Sequence, residues 1–229
     1  INKEDSIVVQ SSTIKSLAHS MGFFACGIAK AAPVDEVVAQ KYRKWLENGE
    51  EASMAYMTNY LEKRLDPRLL VPGVRSIVSL ALNYAPAQQL PKGEYQIAAY
   101  ALGLDYHDLM KQKMRELAIK ITERWQLPKQ EEGEEPSVRC FCDTAPVLER
   151  YWAQKAGLGW VGRNHQLIIP HAGSMFFLGE IFLPFDVDVY DEAMSNRCGS
   201  CHRCIDACPT RAIIPDEDFH AERCLSYQL

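Results

Sequence analysis

The sequence predicts an α/β (α+β) domain of layered helices and a mixed sheet over residues 1–190, followed by a small cysteine-rich module over 191–229. Three observations carry this prediction. Ser76–Tyr84 and Met175–Leu183 are apolar runs of buried-strand length. Met110, Met114, Leu117, Ile121 and Trp125 recur at helical spacing along one stripe. Five of the eight cysteines fall after residue 197.

The elements follow in chain order. Ile14, Leu17, Ala18 and Met21 repeat at helical spacing, and Gly22 stops that helix. Phe23 to Ala29 reads as a short strand. Val38, Tyr42, Trp45 and Leu46 mark a second helix that ends at Gly49. The strand at 76–84 comes next, and 95–102 reads as a weaker extended segment. The long helix runs from about Tyr106 to Trp125, with Asp105 as a candidate N-cap and His107 in its first turn. An acidic stretch at 130–135 reads as a solvated loop. Residues 138–142 alternate as a strand, so Phe141 faces away from Cys140 and Cys142, which read with Cys26 as small apolar core residues. A helix spans 147–156. Strands at 166–170 and 175–183 flank a turn at 171–174. The chain shows no regular βαβ repeat, internal repeat or low-complexity segment.

Composition excludes several classes. The formal net charge of −5 recruits neither nucleic acid nor membrane through a global field, which leaves room only for a local basic patch. No apolar run reaches the roughly 20 residues of a spanning helix. The first residues have no signal-peptide or twin-arginine character, so a cytoplasmic protein with reduced thiols is expected.

The run Cys198-Gly-Ser-Cys201-His-Arg-Cys204-Ile-Asp-Ala-Cys208-Pro209 has the spacing C-x2-C-x2-C-x3-C-P. That is the ferredoxin pattern for [4Fe–4S] ligation. Zinc motifs space two pairs further apart, so iron–sulfur is the better reading. The module is therefore read as a partial ferredoxin-like domain. In two-cluster ferredoxins the fourth cysteine of such a run serves the other cluster. Two clusters need eight thiolates, and only Cys224 follows the run. Either Cys198, Cys201, Cys204 and Cys208 bind one cluster alone, or the module is cut short; the second is expected.

Two other segments carry possible chemistry. Asp143 lies where a strand gives way to a helix, with Pro146 near the helix start. It reads either as a cap or as a general acid at a pocket mouth. The loop Gly157-Leu-Gly159-Trp160-Val-Gly162-Arg163-Asn164 lets backbone approach a ligand or a packed neighbour, without a dinucleotide or phosphate pattern.

Together, these pieces resemble one family. The matching segments are Tyr56-Met57, Glu62-Lys63-Arg64-Leu65-Asp66-Pro67-Arg68, and Tyr100 with Gly103 and Asp105-Tyr106-His107. They continue through Asp143-Thr-Ala-Pro-Val-Leu-Glu149-Arg150, the glycine-rich loop, Gly173-Ser174, Leu178-Gly179-Glu180, the cysteine run and Cys224-Leu-Ser-Tyr227. The chain resembles the epoxyqueuosine reductases over nearly its whole length. The resemblance implies a cobalamin-binding domain over 1–190 and reduction of epoxyqueuosine to queuosine in tRNA, the last step of queuosine biosynthesis. It also implies base-off cobalamin and two [4Fe–4S] clusters, Cys198, Cys201 and Cys204 serving the nearer one and Cys208 and Cys224 the second. Three further ligands would lie in a later segment that this sequence lacks.

By the same resemblance Asp143 is the proton donor, and a carboxylic acid in that role must hold its proton near neutral pH. Arg64, Tyr106, Asn164 and Ser174 are expected to line the cobalamin or substrate pocket with it. The expected partners are tRNA with a queuosine-type wobble base, met in part by Lys63, Arg64 and Arg68, and an external electron donor. A monomer without membrane association is expected. Gln228-Leu229 and Cys142 depart from the family pattern. The competing readings are another cobalamin and iron–sulfur reductase, such as a reductive dehalogenase, and a non-catalytic electron carrier.

Overall fold

The computed structural model describes residues 8–88, 91, 93–126, 138–214 and 219–228. Helix α1 (Ser11–Ser20) leads into strand β1 (Ala25–Lys30). Helix α2 (Glu36–Glu47) and the short helices α3 (Leu61–Leu65) and α4 (Pro67–Leu70) precede strand β2 (Ser76–Asn83). The long helix α5 (Tyr106–Arg124), strand β3 (Arg139–Phe141) and helix α6 (Glu149–Lys155) follow. Strands β4 (Trp160–Val161) and β5 (Leu167–Ile168) form a small hairpin before strand β6 (Phe176–Leu183). Helices α7 (Arg203–Asp206) and α8 (Leu225–Gln228) belong to the cysteine-rich segment.

The main sheet has the order β1-β2-β6-β3. The layered α/β architecture is the one expected. The sheet was expected to be mixed, yet all three ladders are antiparallel. The order explains this, because β6 inserts between β2 and β3 rather than extending an edge through a βαβ crossover. The extended segment expected at 95–102 holds instead a 3-10 turn at Ala99–Ala101, and its side chains are largely exposed. Without a neighbouring strand, its backbone groups are left to water and turns. The acidic stretch at 130–135 lies outside the described residues.

The pleat sorts side chains into two cores. On one face Ile28, Val78, Leu80, Ile181 and Leu183 pack under α1 and the Met110–Met114–Leu117–Ile121 stripe of α5. Cys142 joins that core, with Cys140 and Cys26 packed against it, as the alternation implied. On the other face Ile77, Ala81, Phe141 and Phe182 pack against Trp152 and Ala153 of α6. Burying large side chains such as Trp152 and Phe182 is worth roughly 1.5–3 kcal/mol each.

Gly27 permits the closest approach to α6. A Cβ there would sit 1.9 Å from the Ala156 carbonyl oxygen and 2.7 Å from Leu158 Cδ1. Gly27→Ala should therefore lower stability by about 1–3 kcal/mol, read as a fall in the denaturant midpoint. An unchanged midpoint would mean that α6 is not held against β1 in this way.

Candidate active site

Asp143 follows β3 in a sharp bend and adopts a left-handed backbone conformation, with φ +55°. Aspartate tolerates that region better than most residues. It is not the cap of α6: the helix starts at Glu149, and Leu148 stands at the N-cap. The bend is fixed from below, where the Asp143 N–H donates to Glu149 Oε1 at 2.6 Å. The cap reading of Asp143 is thus replaced by an inverted arrangement, in which a first-turn side chain of the helix holds the Asp143 backbone.

The Asp143 carboxyl is about half exposed and faces α5. Tyr106 donates its hydroxyl to Asp143 Oδ2. Burial first, and then the Asp143 carboxyl, push Tyr106 ionisation well above the usual phenol range, so it remains a donor. His107 Nε2 lies 3.6 Å from the same oxygen. Asp105 orients that imidazole through Nδ1 at 2.9 Å and caps α5 by accepting the His107 N–H, also at 2.9 Å. The sequence identified Asp105 as a cap but placed His107 only in the first turn of that helix and within a matching segment.

Tyr106 also forms one wall of a cleft. Its ring stacks on Phe177 at 4.1 Å with planes 2° apart, and Tyr84 packs on Phe177 at 4.5 Å. Leu82, Tyr100, Leu104 and Leu109 complete much of a lining that encloses about 370 Å³. That space suits a nucleobase or one edge of a macrocycle, and its flat apolar walls favour stacking.

Two acids underlie the bend, Glu149 partly buried and Glu180 fully so. Glu149 is pushed up to about 8, by burial first and then by the Asp143 carboxyl. Glu180 is 0% exposed, and neither of its carboxyl oxygens meets a hydrogen-bond partner among the described residues. Burial, followed by the charges of Glu149 and Asp143, raises it well above the usual carboxylate range. Sequence reasoning quoted both glutamates only within longer matching segments. The signal that could have revealed Glu180 is a lone charge inside the buried run FFLGEIFL.

The remaining expected pocket residues lie further out. Arg64 donates to the Tyr56 carbonyl at 3.1 Å, while its buried Nε has no partner among the described residues. Asn164 Oδ1 accepts the Gln166 N–H in the β4–β5 turn. Ser174 is partly buried in the turn before β6, where its carbonyl accepts the Phe176 N–H. No hydrogen bond or ion pair links Arg64, Asn164 or Ser174 to Asp143 among the described residues. Trp160 Nε1, in the glycine-rich loop, is a second buried donor without a partner there. Unpaired buried donors at Arg64 and Trp160 match a group rich in carboxamide oxygens, as cobalamin is. In this chemical respect the residues fit that cofactor.

The glycine-rich loop reaches the cysteine segment. Arg163 donates to the carbonyls of Gly199 and Cys201 at 2.8 and 2.9 Å. Arg150, next to Glu149, donates to the His165 carbonyl. One loop therefore connects the start of α6 to the cysteine run. The Cys208 sulfur accepts the Ala212 N–H at 3.3 Å. Backbone N–H groups at Ile213, then Ala212 and Thr210, pull this thiol down to about 7 and favour the thiolate that metal ligation needs. Among the described residues no three His, Cys, Asp or Glu side chains gather closely enough to hold a metal ion. The donor set fits iron–sulfur ligation by residue type, spacing and sulfur environment rather than by a closed cage.

Comparison with known proteins places these features together. The family model for epoxyqueuosine reductase QueG, DUF1730, matches residues 64–144, and that for a 4Fe-4S double cluster binding domain matches 197–229. An epoxyqueuosine reductase from Cellulophaga algicola is 42% identical over 217 residues, covering 95% of this chain and 68% of that protein. The chain belongs to the epoxyqueuosine reductase family.

The epoxyqueuosine reductase of Streptococcus thermophilus superposes with a TM-score of 0.81 at 29% identity, over 95% of this chain and 57% of that one. Another, solved with an epoxyqueuosine-modified tRNA-Tyr stem loop, gives 0.77 at 26% identity, over 94% and 56%. The chain thus spans about two thirds of the length of the curated relative and just over half of the solved structures. No helix among the described residues is long and apolar enough to cross a membrane.

The raised pKa of Glu149 gives a stability prediction for this chain. Its folded value lies above the ordinary 4.5, so the native state favours the protonated form. The associated stability is intact below about 4.5 and is lost as pH rises toward about 8. Glu149→Gln keeps an acceptor for Asp143 but does not titrate. Its stability relative to the parent should rise by up to a few kcal/mol across that interval, measured by denaturant unfolding. A pH-independent difference would contradict the assignment.

Proposed function

We propose that this chain is the cobalamin-binding and cluster-bearing part of an enzyme that reduces epoxyqueuosine in tRNA to queuosine. The observation that carries this reading is Asp143, its carboxyl bonded by Tyr106 and its backbone N–H by Glu149, beside an aromatic cleft. Converting an epoxide to an alkene breaks two C–O bonds, consumes two electrons and two protons, and releases the oxygen as water. Bound cobalamin would supply cobalt redox chemistry, and [4Fe–4S] clusters would deliver electrons singly.

The chain's own residues do the rest. Asp143 protonates the departing oxygen, and Tyr106 and His107 orient its carboxyl. Tyr84, Tyr100 and Phe177 offer ring faces to a base taken out of its stack. Arg64, Tyr106, Asp143, Asn164 and Ser174 face cofactor or substrate. Cys198, Cys201 and Cys204 hold the nearer cluster, and Cys208 and Cys224 contribute to the second. Residues 1–190 form the catalytic domain and 191–229 the cluster module, in a cytoplasmic monomer served by an external reductant. Of the basic residues expected to meet tRNA, Arg68 is forked onto Asp66 at 2.8–3.2 Å and Lys63 lies over the Tyr60 ring at 5.5 Å. Lys63 is thus the freer of the two for phosphate contact.

The intact enzyme, reconstituted anaerobically with cobalamin and reductant, should form queuosine from epoxyqueuosine-containing tRNA; absence of product would refute the reading. Asp143→Asn should retain cobalamin binding and lose turnover by about 10²–10⁴-fold. Tyr106→Phe should lower kcat by about tenfold through the lost charge-assisted hydrogen bond. Full turnover in Asp143→Asn would remove that residue from the proton-donor role.

A further inference from the structure

Cys198 and Cys201 stand on the segment after residue 190, and Arg163 of the preceding domain reaches across to the turn they bracket. Arg163 lies in the turn between β4 and β5. Two backbone hydrogen bonds close that turn, from the Gly162 N–H to the Gln166 carbonyl and from the His165 N–H to the Gly162 carbonyl, both at 2.9 Å. A Cβ at position 162 would sit 2.5 Å from Ile168 Cδ1, so the turn packs tightly on its own hairpin. Arg150 of α6 donates to the His165 carbonyl. Arg163 therefore projects from a fixed base. Its Nη1 donates to the Gly199 and Cys201 carbonyls at 2.8 and 2.9 Å, across 36 and 38 residues of sequence. Asn196 adds a second grip. Its Nδ2 donates to the Val161 carbonyl at 3.1 Å, and its Oδ1 accepts the Cys198 N–H at 2.8 Å. Within the turn the Cys201 N–H donates to the Cys198 carbonyl at 2.9 Å, and Gly199 takes the left-handed φ of +52°. The Cys198–Cys201 turn is thus held at both ends by the hairpin. The Gly199 and Cys201 carbonyls point at the guanidinium. In trans peptides the paired N–H groups, those of Ser200 and His202, point away from it.

We propose that Arg163 is a positioning residue of the nearer cluster, which sets the Cys198–Cys201 turn and biases that cluster toward its reduced form. The inference rests on the reading of Cys198, Cys201 and Cys204 as ligands of that cluster. Each electron accepted from the external reductant adds a negative charge to a group already negative through its thiolates. A permanent cation held against the peptide groups of the ligand turn favours that added charge. Peptide N–H groups fixed in direction act the same way where they meet ligand sulfur. Cys208 and Cys224 lie outside the turn that Arg163 bonds, so the bias falls on one cluster. Arg163 acts through peptide groups and lies outside both apolar cores, so its replacement leaves the fold of the α/β domain in place.

The test is a potentiometric titration of the intact enzyme, reconstituted anaerobically with iron and sulfide and without cobalamin or tRNA. Electron paramagnetic resonance follows the reduced clusters. Arg163→Gln should make reduction of one cluster about tenfold less favourable, a fall in midpoint potential of about 59 mV for one electron. The other cluster should keep its potential. Arg163→Lys retains the charge and should show less than half of that fall. A glutamine variant that assembles only one of the two clusters, beside a lysine variant that assembles both, also supports the assignment, because the grip serves one site. Parental potentials at both clusters in Arg163→Gln, equal shifts at both, or loss of both would overturn it. Equal falls in the glutamine and lysine variants would overturn it too, since charge would not be the cause. Iron and sulfide content of the parent separates the two readings. A parent that binds no cluster would refute the ligand assignment and the inference together, whereas bound clusters indifferent to Arg163 would refute the inference alone.

Discussion

The hydrogen bond from the Asp143 N–H to Glu149 Oε1 decides where the reactive carboxyl sits. Asp143 occupies a left-handed conformation in a bend with few other restraints. Such a conformation costs of order 1 kcal/mol and persists only when its surroundings impose it. Here the restraint is a side chain at the start of α6, and α6 is itself fixed by Trp152 and Ala153 against the sheet. Packing energy from an apolar core is thus transmitted through one carboxyl to one turn. From that turn, Asp143 reaches Tyr106 and His107 on α5, an element packed on the opposite face of the sheet.

The same arrangement explains why polar groups are tolerated inside the sheet. A buried Glu180 beside Ser79 is expensive as an ion and far less so as a neutral acid. Glycine at position 27 lets α6 descend close enough to cover the row. The helix also reaches outward: Arg150 fixes the loop whose Arg163 bonds to the cysteine segment. The acid site and the thiols are therefore connected through a short run of hydrogen bonds rather than through a flexible linker.

Much of this was legible in the sequence, for physical reasons that differ by element. The α5 stripe and the two long apolar strands declared themselves because burial imposes a period on side chains. The cysteine run was legible because cluster ligation demands fixed spacing. Asp143 drew notice from its place between strand and helix and from its motif. Antiparallel pairing was not legible, since a strand buried on both faces carries no mark of its neighbour's direction. The partnership of His107 with Asp143 depends on a contact across 36 residues of sequence, and no local pattern encodes it. Glu149 reads locally as an ordinary first-turn acid at a helix start. Only the fold reveals that its carboxyl turns back to hold a backbone amide.

Amide hydrogen exchange at Asp143 tests this most directly. An amide in a half-exposed bend exchanges quickly unless something holds it. The account predicts a protected Asp143 N–H in the parent chain, equally protected in Glu149→Gln and freely exchanging in Glu149→Ala. A fast-exchanging Asp143 amide in the parent, or protection that survives in Glu149→Ala, would contradict it.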